Sequence, residues 1–141
     1  MNFFLFSFFL LLSIISSPVL SIYVLDDFEQ NGVDNWKGLV LSSDIKHSGS
    51  HSGCWENTSS PTSVFFNVTK VKSDWSAFTL FSMWVYSAKA DNSGYQVILD
   101  SDNSSTPESD YYSFSITADW KGWKEIKRAI PSEFSKSRSP L

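Results

Sequence analysis

The sequence predicts an all-β fold, an antiparallel β-sandwich. Three observations carry this. Clusters of Gly, Pro, Asn, Asp and Ser recur about every 8–12 residues, the spacing of turns in a sandwich or barrel. Between them, apolar and aromatic residues alternate with polar ones, the period of a half-buried strand. No long segment carries a helical period.

The strands follow in order. Ile22–Phe28 alternates up to the acidic run Asp26-Asp27, and Asn31-Gly32 turns the chain. Gly38–Lys46 is the second strand, closed by Ser48-Gly49-Ser50. Ser52–Glu56 and Ser63–Val68 come next. Asp74-Trp75-Ser76-Ala77-Phe78 suits one helical turn. Thr79–Ser87 is the longest alternation, with Phe81, Met83 and Val85 on one face and Leu80, Ser82, Trp84 and Tyr86 on the other. After Asp91-Asn92-Ser93-Gly94 comes Tyr95–Ser101, then a polar loop from Asp102 to Asp110. Tyr111–Thr117 and Trp123–Ala129 read as two strands joined by a tight turn at Asp119-Trp120-Lys121-Gly122. Pro131-Ser132-Glu133-Phe134 suits a second helical turn. The tail from Ser137 to Leu141 reads as loop.

Residues 1–21 form a separate object. Phe3 to Ile15 is apolar apart from Ser7 and Ser13, and Ser16-Ser17-Pro18 follows. This is the layout of a secretory signal peptide cleaved after Ser21, although its first residues carry no Lys or Arg. A spanning helix needs roughly 20 apolar residues, and Pro18 ends the run before that length. The remainder, residues 22–141, is one domain with room for a single core. It is expected to be secreted, with no hold on a membrane after cleavage. Three glycosylation sequons, at Asn57, Asn67 and Asn103, fit that route.

The net charge of -4 argues against nucleic acid and anionic membranes as partners. Basic residues gather only towards the end, from Lys121 to Arg138, mixed with acids as on a solvated face. Cys54 is the sole cysteine, so no internal disulfide forms. Set between Gly53 and Trp55 in a strand, it is expected to be buried.

Alternation also suggests a site. The second faces of neighbouring strands carry Trp84, Tyr86, Gln96, Asp100, Tyr111 and Ser113. Flat rings beside short hydrogen-bonding side chains suit a sugar, whose C–H groups stack on aromatic faces while its hydroxyls need paired donors and acceptors. The plainer alternative is that Trp84 and Tyr86 only cover that face beneath a loop. Trp36, Trp55, Trp75, Trp120 and Trp123 read as core or turn-packing residues. Catalysis finds no constellation: the carboxylates mostly sit in turns, and His47 and His51 lack partners for a catalytic pair or a zinc site.

The motif order resembles the galactose-binding-like β-sandwich modules of extracellular polysaccharide-degrading enzymes, including the N-terminal module of heparinase-like polysaccharide lyases. The resemblance rests on Leu25-Asp26-Asp27-Phe28-Glu29, the run Lys46 to Gly53, Asp74 to Phe78, Phe81 to Ser87, and Tyr111 to Ile126. It implies a jelly roll and a non-catalytic module that binds polysaccharide or another glycan, with a catalytic domain downstream as a possible neighbour. A surface or adhesion domain without a sugar ligand is the alternative from another class. The resemblance also implies a structural Ca²⁺ held by Asp27 or Glu29 and by backbone carbonyls around Lys46 and Ser48. The competing reading is that the carboxylates merely flank a strand end. Measured against the family pattern, the last strand is expected to be missing and the domain incomplete at its C-terminus.

Overall fold

In the computed structural model, residues 3–11, 22–56, 64–66, 71–72, 74–100 and 111–137 are described. Among the described residues eleven strands run in chain order: β1 (Phe3–Leu11), β2 (Ile22–Asp26), β3 (Trp36–Lys37), β4 (Val40–Ser42), β5 (Ser52–Glu56), β6 (Phe65–Phe66), β7 (Leu80–Ser87), β8 (Gly94–Asp100), β9 (Tyr111–Thr117), β10 (Gly122–Ala129) and β11 (Ser135–Ser137). No helix occurs among the described residues.

The larger sheet has six strands, ordered β10-β7-β1-β5-β4, with β2 also paired to β1. The smaller sheet is β11-β9-β8, and β3 pairs with β6 apart from both. Every pairing is antiparallel. The two main sheets meet across one core. Phe81, Met83 and Val85 of β7 and Ile126 of β10 contribute from one side, and Phe114 and Ile116 of β9 from the other. The Phe81 and Phe114 rings touch edge to face at 5.6 Å. Val97 and Leu99 lie on the face of β8 that meets Phe114 and Tyr112. Alternation therefore assigns the faces of β7, β8 and β9 correctly.

Three expectations need correction. Tyr111–Thr117 and Trp123–Ala129 are strands, but not a hairpin. β9 belongs to the small sheet and β10 to the large one, so the Asp119–Lys121 turn carries the chain between sheets. Neither short segment is helical: Phe78 N donates to Trp75 O, and Phe134 N to Pro131 O, each closing a single turn. Residues 135–137 are β11, paired to Tyr111–Ser113, so Ser137, where the terminal loop was expected to begin, ends a strand.

β1 is the structure's addition. Phe3–Leu11, within the segment that reads as a leader, lies between β5 and β7 and pairs with four residues of each.

Around Phe28 the core closes tightly. Phe28 is 1% exposed and adopts a φ of 63°, unusual for a bulky residue. Asp26 holds the bend: Oδ1 accepts from Phe28 N at 2.8 Å and Oδ2 from Trp36 Nε1 at 2.8 Å. Gly53 of β5 lies directly beneath the Phe28 ring. Cys54 is buried, as expected.

Candidate functional site

The outer face of β7 and β10 is where exposed-type chemistry gathers. In the register of this pair, Tyr86 opposes Trp123, Trp84 opposes Glu125 and Ser82 opposes Lys127. Met83, Val85 and Ile126 point into the core, so these six alternate residues point away from it. The Tyr86 and Trp123 rings meet edge to face at 5.5 Å. Ser82 Oγ donates to Glu125 Oε1 at 2.9 Å, and Lys127 Nζ lies 2.9 Å from Glu125 Oε2. Lys127, with Ser82 and the nearby His47 adding to it, holds the Glu125 carboxyl below its ordinary range.

The fourth ring comes from the connection between β4 and β5. His47 stacks on Trp84 with ring centroids 3.8 Å apart and an interplanar angle of 17°. It also meets Trp123 edge to face at 5.5 Å. The loop is tied down from the far side. Glu29 Oε1 accepts from the backbone N–H of Ser50 at 2.8 Å and of His51 at 2.9 Å, and His51 Nδ1 lies 3.7 Å from Oε2. These two N–H donors, His51 first, hold the Glu29 carboxyl below its ordinary range. Gly49 is required here: its φ is 66°, and a Cβ would come within 2.5 Å of Glu29 Oε1.

That arrangement bears on the expected Ca²⁺. Glu29 points at N–H donors, whose positive ends repel a cation. Asp27 Oδ1 accepts from Glu29 N at 3.1 Å, and the Lys46 ammonium donates to Ser43 O at 3.1 Å. No group of three His, Cys, Asp or Glu side chains able to hold a metal lies among the described residues. The Glu29 carboxylate is thus engaged by loop N–H groups and closes the loop.

The six residues read as one sugar platform are divided by the structure. Trp84 and Tyr86 lie on the outer face of the large sheet. Gln96, Asp100, Tyr111 and Ser113 lie on the outer face of the small one, because β8 and β9 pair with each other and not with β7. There Gln96 Nε2 donates to Ser113 Oγ at 3.1 Å, and Asp100 opposes Tyr111. The core separates the two groups. Trp123 and His47 are the residues that sequence reasoning missed. Trp123 was assigned to packing, but sits in the aromatic cluster. Its signal was alternation along Trp123–Ala129, which sets it opposite Ile126. The other tryptophans are where packing put them: Trp55 is in the core, and Trp36, Trp75 and Trp120 pack against it. Asn57, Asn67 and Asn103 lie outside the described residues.

Beside β10, the outermost strand of the large sheet among the described residues, the face continues into a groove of about 330 Å³ between β9 and β10. Glu125 and Lys127 border it, with Ser115, Thr117 and Trp120 opposite. Rings, hydroxyls and a carboxylate thus follow one another over a solvent-facing surface. That is the equipment of a sandwich domain that binds a ligand on its surface.

A family model described as carbohydrate binding domain (family 11) matches residues 16–139. The chain belongs to that family. The match begins after β1 and takes in the remaining ten strands. No curated protein and no solved structure matches the chain.

Proposed function

We propose that this chain is a secreted, non-catalytic module that binds a glycan on the outer face of β7 and β10. The observation that carries the reading is the cluster of Trp84, Tyr86 and Trp123 beside Glu125, Ser82 and Lys127. Aromatic faces take the C–H side of a pyranose ring, and the carboxylate and ammonium pair with its hydroxyls. The groove around the β10 edge gives an extended chain a path beyond the first ring. Family membership supports carbohydrate as the ligand class. Cleavage after Ser21 and attachment to a polysaccharide-degrading catalytic domain belong to the same reading.

The test is affinity electrophoresis in gels containing soluble polysaccharides, hydroxyethylcellulose among them, backed by a glycan array. Trp123→Ala and Tyr86→Ala are expected to abolish retardation. Asp100→Ala and Tyr111→Ala, on the opposite face, are expected to leave it unchanged. Loss of binding in the second pair alone would move the site to the small sheet. A folded wild type that binds no glycan would sink the proposal.

A further inference from the structure

The aromatic site is covered. An imidazole whose centroid lies 3.8 Å from that of Trp84, nearly parallel to it, is at stacking contact and leaves no layer between. It stands where a sugar ring would stack. His47 is held there by a loop whose other side is fixed to Glu29, and Glu29 directly follows the fully buried Phe28. Ser52 Oγ closes the same loop onto Ile45 O at 2.5 Å. From this geometry, and resting on the carbohydrate-binding reading, we infer that the Lys46–His51 loop is a lid over Trp84 and that Glu29 is its positioning residue.

The physical logic is competition. A glycan that stacks on Trp84 must displace His47, so the apparent affinity is reduced by the fraction of molecules in which the lid is closed. Glu29 sets that fraction without touching the ligand. Its carboxylate receives two charge-assisted backbone hydrogen bonds, stronger than neutral ones, which hold the loop against the core. Releasing the loop frees the Trp84 face. An aromatic pair of this kind corresponds to a population shift of about two- to tenfold.

The experiment has two readouts. The first needs no ligand: the side-chain proton shifts of His47, shielded by the Trp84 ring below it. Glu29→Ala is expected to remove that shielding, as Trp84→Ala does, and Glu29→Gln, which keeps an acceptor oxygen, to retain part of it. Should Glu29→Ala fail to fold, Gly49→Ala displaces the Glu29 carboxylate from the other side and gives the same release. The second readout is retardation in hydroxyethylcellulose. His47→Ala and Glu29→Ala are expected to bind about two- to tenfold more tightly than wild type. Unchanged His47 shifts in folded Glu29→Ala overturn the latch. A His47→Ala variant that binds more weakly makes His47 part of the site and overturns the lid. If no variant is retarded while Glu29→Ala still frees His47, the latch stands and the glycan reading fails.

Discussion

Gly53→Ala is a one-methyl change with a calculable cost. A Cβ at Gly53 would lie 2.6 Å from Phe28 Cε1, 2.8 Å from Phe28 Cζ and 2.8 Å from Leu39 Cδ1. Ordinary van der Waals contact begins near 3.4 Å, so each neighbour would have to retreat by more than half an ångström. Neither has room, since Phe28 is 1% exposed and Leu39 7%. Phe28 is further held by its hydrogen bond to Asp26. Overpacking of this kind costs about 1–3 kcal/mol. For a chain of this length that is a fall in Tm of roughly 3–15 °C. Thermal and urea unfolding followed by tryptophan fluorescence would measure it. The explanation predicts coupling as well: Phe28→Leu removes the outer ring atoms that clash, so the double variant should be less destabilised than the sum by about 1 kcal/mol. A Gly53→Ala protein within about 0.5 kcal/mol of wild type, or strict additivity with Phe28→Leu, would refute the reasoning.

Three further outcomes are expected. Met83 is wholly buried between the sheets, so Met83→Ala should cost about 2–5 kcal/mol in urea unfolding. Burial, with Glu56 adding, pushes the Cys54 thiol up to about 11. At pH 8 it should resist a thiol reagent such as Ellman's, and react once urea unfolds the chain. The Glu125 carboxyl is held below its ordinary value of 4.5 in the folded state, so its contribution to stability is present above that value and is lost as pH falls through the folded pKa. Unfolding midpoints should therefore decline in acid, and Glu125→Gln should decline less steeply than wild type over the same range.

Strands were legible here where one face is buried. Tyr111–Thr117 has the bounds that alternation and turn residues suggest, because a period of two follows from which side chains must leave water. Pairing was not legible. Alternation says which way Tyr111 points along its own strand, but not whether that strand lies beside β7. The short link at Asp119–Lys121 looks like a hairpin turn and is a crossing between sheets, so neighbours in sequence became opposite walls of the core. His47 was beyond reach for a different reason. Its position depends on a carboxylate more than 15 residues away, and nothing local marks Glu29 as the partner of Ser50 and His51.

β1 has a consequence for timing. Its neighbours β5 and β7 are synthesised after it, so for an interval the N-terminal segment exists with no strand to join. The sheet as seen, with β1 between β5 and β7, therefore closes only once residue 87 has been made. On the proposed secreted reading, removal of residues 1–21 would take β1 away and leave β5 and β7 with facing edges whose amides and carbonyls have lost their partner.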